Sequence, residues 1–180
     1  MWYPSIVTVA PTVEPVSLDD VKTQCLVDSA DDDAHLTRLI KAARAHVENY
    51  CNARWAEQTI VCQCDRFADF TRLPLGPLKS VTAIGYVDPA GAAQTLVATV
   101  YEACKDGLEP SIALQPGQAW PATLTGSRIT VTAVFGGTVP DEVRHAMLVF
   151  IADAYRAREN PARAGWTIMD ALLCNHRRGV

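Results

Sequence analysis

Apolar residues recur with a helical period in the first third of the chain. In "EPVSLDDVKTQC", Ser17 and Asp20 have the spacing of a capping box, which predicts a short helix. In "DSADDDAHLTRLIKAARAHVENYC", Ser29 and Asp32 repeat that spacing ahead of a longer periodic stretch. The apolar face of this second predicted helix comprises Leu36, Leu39, Ile40, Ala43, Val47, Tyr50 and Cys51.

From about Trp55 the pattern changes to short runs rich in β-forming residues. These runs are "QTIVCQC", "SVTAIGYV", "QTLVATVYEAC", "SIALQ" and "SRITVTAVF". Turn sequences such as "DPAGA" and "KDGLEP" separate them at intervals of roughly 8 to 12 residues. The pattern predicts an antiparallel sheet or a small barrel, with a hairpin at Asp88 to Gly91.

A helical pattern returns in "VPDEVRHAMLVFIADAYRAREN". Pro140 lies near its first turn, and Asp141 and Glu142 lie at the positive end of the helix dipole. The stretch "AMLVFIA" is apolar nearly all the way round, so more than one side of this helix should be covered. We expect a core helix or a subunit contact that uses Met147, Leu148, Phe150 and Ile151.

The last segment, "WTIMDALLCNHRRGV", predicts a short capped helix. Thr167 and Asp170 again have capping-box spacing, and a helix of about ten residues is too short to persist alone in water. The segment either packs back on its own domain or docks on a partner. In the second case we expect it to be mobile or differently placed in the isolated protein. Its side chains combine the aromatic, flexible apolar and arginine types common in interfaces: Trp166, Ile168, Met169, Leu172, Leu173, Arg177 and Arg178.

Taken together, the elements predict an α+β chain in which N- and C-terminal helices form a helical body with an inserted antiparallel β unit. We expect an N-terminal helical part over residues 1–55 and the β unit over 56–137. A C-terminal core helix over 138–160 would pack with the N-terminal part, and residues 161–180 would form a docking tail.

Composition and charge exclude several classes of function. The 180 residues carry a net charge of −4, so no overall basic field exists to hold a polyanion without sequence preference. No stretch reaches the roughly 18 uncharged apolar residues that a membrane span needs, and we expect neither a membrane segment nor an export signal. The six cysteines are scattered, which favours free thiols in a reducing compartment.

Candidate chemical sites are weak. "FGGTVPDE" lacks the glycines and the lysine of a phosphate-binding loop, and its acids lie where a phosphate would bind, so Gly136 and Gly137 indicate a strand-to-helix corner. Cys62 and Cys64 point to one face of a strand, where buried side chains are a better interpretation than a metal or redox pair. We expect no catalytic residues, no metal and no cofactor.

Two further groups of polar residues have simple structural interpretations. The run Asp31 to Asp33 with His35 lacks the rhythm of a calcium loop and fits the electrostatics of a helix start. His46 and His145 fall within predicted helices, and neither is part of a recognisable catalytic motif.

The order of segments resembles the head-tail connector family of tailed bacteriophages and prophages, also called adaptor or head-completion proteins. The likeness rests on "PLKSV", "YVD", "AWP" and "VPDEV" at similar intervals, and it covers about Glu14 to Glu159. Members often end in a Leu-Leu-Pro pattern, whereas this chain keeps Leu172 and Leu173 without the proline.

The resemblance implies a structural virion protein rather than an enzyme. Such adaptors form a ring, usually dodecameric, between the portal and a stopper or tail protein, and the C-terminal segment contacts the portal. DNA passes through the ring without sequence-specific contact. The expected location is the head-tail junction of the virion, and the host cytoplasm during assembly. The alternatives are a tail-completion protein of the same virion or, less favoured, a small metal- or thiol-dependent enzyme.

Overall fold

The computed structural model describes residues 1–157 and 167–179. Within these residues the helices are α1 (Leu18–Cys25), α2 (Asp33–Cys51), α3 (Asp141–Arg156) and α4 (Ile168–Leu173). The strands are β1 (Ile6–Val9), β2 (Gln58–Cys64), β3 (Leu78–Val87), β4 (Ala93–Thr95), β5 (Tyr101–Cys104), β6 (Ser111–Leu114) and β7 (Ile129–Phe135). The predicted α+β class, with antiparallel strands between two helical segments, is confirmed.

The β unit consists of residues 1–11 and 57–137. Its main sheet has the strand order β1-β2-β7-β3-β4 with antiparallel neighbours, and β5 pairs with β6 separately. Buried and half-buried residues alternate strictly along β2 and β7, because successive side chains of a strand point to opposite faces. One face of the sheet therefore lies on a core, and the other remains partly open to water.

The core of the β unit combines aliphatic side chains from the sheet with aromatic side chains from its loops. Cys62 and Cys64 are fully buried and lie opposite Val131 and Ile129 of β7, as expected for small apolar side chains. Phe67, in a 3-10 turn after β2, stacks on Trp120 with ring centroids 4.8 Å apart. This stacking attaches the "AWP" loop to the core.

The described residues of the helical unit are 12–56, 138–157 and 167–179. Within it α2 packs against α3, and α1 contacts both. The buried positions on α2 and α3 recur at intervals of three and four, so each helix turns one stripe of side chains inward. The apolar members are Leu36, Ile40, Ala43, Val47 and Cys51 on α2, and Val143, Ala146, Met147, Ile151 and Ala152 on α3.

The N-terminus departs from the sequence prediction. Residues 1–11 group with the β unit, whereas we expected all of residues 1–55 to be a helical part. The reason is β1, which pairs antiparallel with β2 through Ile6 and Val61 and was not predicted. A strand of four residues between prolines gives too short a pattern to be separated from loop.

Two local predictions were also wrong. The run from Gln94 to Cys104 is not one strand, since a 3-10 turn at Ala98–Val100 separates β4 from β5, which belong to different sheets. Ser29 does not cap α2. The helix begins at Asp33 after Asp32, whose carboxylate instead accepts a hydrogen bond from the hydroxyl of Tyr155. A tertiary contact has overridden the local capping signal.

The Gly-Gly turn between β7 and α3 is a corner in the chain. Gly136 has a φ of +102°, a conformation that favours glycine, and it is buried. Its N–H donates to the carbonyl of Pro77 at 3.0 Å, so this donor is already used within the protein. Pro140 precedes α3 and Asp141 and Glu142 form its first turn, which is the arrangement that the sequence predicts.

Candidate docking surface on the C-terminal segment

The C-terminal segment, residues 167–179, starts with the capping box that its sequence predicts. The hydroxyl of Thr167 accepts a hydrogen bond from the backbone N–H of Asp170 at 3.2 Å. The carboxylate of Asp170 in turn accepts from the N–H of Thr167 at 2.8 Å and from its hydroxyl at 2.6 Å. These reciprocal bonds satisfy donors at the start of α4, a helix of only six residues that could not form alone.

The same carboxylate joins the segment to α2. Asp170 accepts a hydrogen bond from the Tyr50 hydroxyl at 2.7 Å, and the guanidinium of Arg177 lies over the Tyr50 ring, 4.8 Å from its centre. The backbone N–H of Arg178 donates to the carbonyl of Cys51 at 2.8 Å. Contacts with the hydroxyl and the ring face of Tyr50 and with the carbonyl of Cys51 therefore hold the segment at the end of α2.

These contacts show the segment packed against its own helical unit, one of the two alternatives that the sequence leaves open. Leu173 has no exposed surface, and Arg178 is only 6% exposed. α4 packs against α3, and a 3-10 turn at Cys174–His176 continues the chain past it. Burial of an apolar side chain such as Leu173 stabilises a folded chain by roughly 2 kcal/mol, so the segment is part of the body of the helical unit.

The outer side of the segment remains available to a partner. Ile168 is 69% exposed, and Ala171, Cys174 and Arg177 are exposed, whereas Met169 and Leu172 are half-buried. Of the predicted docking residues, Leu173 and Arg178 thus face inward and Ile168 and Arg177 face water. Trp166 lies outside the described residues. We call Ile168, Ala171, Leu172 and Arg177 the tail surface.

Hydrogen bonding lowers the pKa of Asp170 from its ordinary value to about 2, chiefly through the Thr167 side chain and then through Tyr50. A lowered pKa contributes stability that is complete above the ordinary value near 3.8 and is lost as the pH falls through about 2. We predict that Thr167→Ala raises this pKa towards its ordinary value, and that Tyr50→Phe raises it by less. The chemical shift of the Asp170 carboxyl carbon, followed between pH 5 and pH 1.5, measures this pKa in the unaltered protein and in both variants. Equal pKa values in the three proteins would contradict the attribution of the lowered pKa to Thr167 and Tyr50.

The four residues expected to form a core helix or a subunit contact separate into two groups. Met147 and Ile151 are fully buried in the helical unit. Leu148 and Phe150 are half-buried, and Phe150 stacks on His46 of α2 with ring centroids 4.9 Å apart. A core position thus accounts for Met147 and Ile151, and Leu148 and Phe150 retain some surface for a subunit contact.

The other candidate sites considered in the sequence are the cysteines, a metal site and a membrane span. Burial raises the pKa of Cys64 to about 12 and that of Cys51 to about 11, so both remain unreactive thiols at neutral pH.

Among residues 1–157 and 167–179, no three His, Cys, Asp or Glu side chains are grouped so as to hold a metal ion. In the same ranges, every helix falls short of the length and apolarity that a bilayer crossing requires.

Residues 15–81 match the model of the family described as phage gp6-like head-tail connector protein. This chain is similar to head-tail connectors. The resemblance seen in the order of its segments is confirmed, and the match is to a family of structural particle proteins rather than enzymes. The matched region runs from Pro15, three residues before α1, into β3. No curated protein sequence matches the chain significantly.

Solved structures share the fold of this protein over nearly the whole chain. A chain in the neck of an empty gene transfer agent (GTA) particle, computed with C6 symmetry, has a TM-score of 0.82 and 21% identity, and the match covers 99% of this chain and 97% of that one. A chain in the virion of a native GTA particle has a TM-score of 0.82, 22% identity and the same coverage. A chain in the neck of the native GTA particle, computed with C12 symmetry, has a TM-score of 0.76 and 22% identity over 97% and 96%.

Proposed function

We propose that this protein is a head-to-tail adaptor, a structural protein that forms a ring in the neck of a phage-like particle. In this role it joins the portal of the DNA-filled head to a stopper or tail protein, and DNA passes through the ring. It catalyses no reaction and uses no cofactor. It acts at the head-tail junction after assembly in the host cytoplasm.

The observation that carries the proposal is the fold likeness over 99% of the chain to a neck protein, together with the connector family match over residues 15–81. Because the likeness includes both the helical unit and the inserted β unit, it extends well beyond one common supersecondary motif. Its low sequence identity supports the fold alone, and the family match independently supports the role in a neck.

The symmetry of the similar particles supports the ring. Necks computed with C6 and C12 symmetry are built from copies related by rotation about one axis. A dodecamer of this chain would satisfy the C12 arrangement. The net charge of −4 also suits a channel through which DNA must move, because a strongly basic channel would retain it.

The tail surface is the candidate portal contact. Ile168 and Leu172 supply apolar area next to the cationic Arg177, a combination that is common in protein interfaces. Since Leu173 and Arg178 already attach the segment to its own helices, portal binding would use a preformed surface and would not require a large ordering cost. Several weak contacts around a ring add to a strong attachment.

The test measures attachment of the purified protein to portal-containing heads that lack a neck. We expect the unaltered protein to attach, and Ile168→Asp to lose attachment while keeping its melting temperature, because Ile168 is 69% exposed. Val97→Asp is a matched control, since Val97 is an exposed apolar residue of the β unit at 64% exposure. It should attach like the unaltered protein.

Two outcomes would contradict the proposal in different ways. If Ile168→Asp attaches normally, the portal contact lies elsewhere on the protein. If the unaltered protein binds isolated tails and never heads, it is a tail-completion protein rather than an adaptor.

A further inference from the structure

The N-terminal strand β1 is exposed in a way that folding of a single chain does not explain. Ile6 is 62% exposed, Val7 49% and Val9 55%, so neither face of the strand is covered. No charged side chain occurs from Met1 to Val13, although a fifth of the whole chain is charged. β1 also forms one edge of the five-stranded sheet, where charged side chains are one of the devices by which natural proteins prevent association.

The exposed side chains of β1 continue onto the open face of the sheet. Directly paired residues of neighbouring strands share a face, and the pairing joins Ile6 to Val61 and Val9 to Thr59. The next strand adds Thr132 opposite Val61 and Val134 opposite Thr59. These β2 and β7 residues are half-buried. We call the six residues the β1 patch: Ile6, Val9, Thr59, Val61, Thr132 and Val134.

The strand is poorly suited to continuous backbone pairing with another sheet. Pro4 and Pro11 flank β1, and its register with β2 shifts between Val7 and Val9. Both features protect an edge from open-ended addition of strands. Recognition at this place therefore depends on the uncharged side chains rather than on a long new ladder of hydrogen bonds.

We propose that the β1 patch is the contact between adjacent copies of this chain in the ring. This inference rests on the proposed function, which supplies the ring. Interfaces between copies of one protein are more apolar than transient contacts, and their centres are depleted in charge, as the β1 patch is. In a cyclic ring each copy offers two different surfaces, so the patch meets another surface of its neighbour, not the neighbour's own β1.

A photo-crosslink identifies what covers the patch. Val9 is replaced by the photoreactive residue p-benzoyl-phenylalanine, and particles carrying the neck are irradiated. We expect a product with twice the mass of this chain, in which Val9 is joined to a segment other than β1. The same residue placed at Val97, which is 64% exposed and outside the patch, is the control and should give much less of this product.

Charge insertion gives a second measurement. Ile6→Lys with Val9→Lys should leave the melting temperature unchanged, because both side chains are more than half exposed, and should raise the concentration for half-assembly of the ring at least tenfold. Val97→Lys should leave ring assembly unchanged. Equal assembly of the double variant and the unaltered protein would overturn the proposal.

The outcomes separate this inference from the proposed function. A crosslink from Val9 to portal or stopper protein overturns the inference and leaves the adaptor role intact. A crosslink from β1 to β1 shows a two-fold contact and overturns the ring arrangement. Crosslinked rings that never attach to heads would support the β1 contact while contradicting the adaptor role.

Discussion

Glu48→Ala is expected to lower the free energy of unfolding by about 3 to 5 kcal/mol, because it removes a buried charge and leaves its partners unsatisfied. Glu48 lies near the end of α2 and is only 4% exposed. One carboxylate oxygen accepts the N–H groups of Trp55 and Ala56 at 2.9 and 3.2 Å. The other accepts from Arg44 at 3.2 Å. Urea unfolding followed by tryptophan fluorescence measures the loss.

The matched control for this prediction is Glu57→Ala. Glu57 also pairs with a cation, Lys79, but both side chains are about half exposed, and such surface pairs contribute roughly 0 to 1 kcal/mol. Glu48→Gln keeps an acceptor for the two backbone N–H groups and should lose less stability than Glu48→Ala. If Glu48→Ala and Glu57→Ala have the same effect, the buried carboxylate does not organise the end of α2.

Leu173→Ala is expected to lower the free energy of unfolding by about 2 to 4 kcal/mol, the usual cost of emptying a buried leucine site. Leu173 is fully buried where α4 packs on α3. Ile168→Ala, in the same helix but at an exposed position, should change stability by no more than about 0.5 kcal/mol. Thermal and urea unfolding of the two variants and the unaltered protein provide the measurement.

This pair of variants also changes how the portal contact should be tested. Removing everything after Gly165 would take away Leu173 together with the bonds to Tyr50 and Cys51, so loss of attachment would be confounded with loss of structure. Point changes on the tail surface avoid that problem. If Leu173→Ala proves as stable as the unaltered protein, the segment is not part of the body, and truncation after Gly165 would be an informative test of the portal contact.

The features that could be predicted from sequence are those with a local cause. The capping boxes at Ser17 and Thr167 form as their spacing predicts, because each uses only residues three apart. Helix α2 and strands β2 and β7 follow from periodicity, because one face of each is buried.

The features that were missed depend on residues distant in sequence. Nothing local distinguishes Glu48 from a solvent-exposed helix residue except Arg44 one turn earlier, since its burial is set by the chain around Trp55. Leu173 faces inward because α4 packs on α3, and this packing also decides which residues of the tail are buried and which are exposed. The buried face of a short helix cannot be predicted until the element on which the helix packs is known.

The pairing of β2 with β7 also affects the chain entropy that is lost when α2 and α3 come together. About 90 residues separate the end of α2 from the start of α3, and closing an unstructured loop of that length costs about 4 kcal/mol in chain entropy. In the folded β unit, Gln58 lies directly opposite Phe135, so its two ends are about 5 Å apart. With the inserted sheet formed, the chain-entropy cost of bringing α2 and α3 together is therefore that of a short connection rather than of the whole insertion.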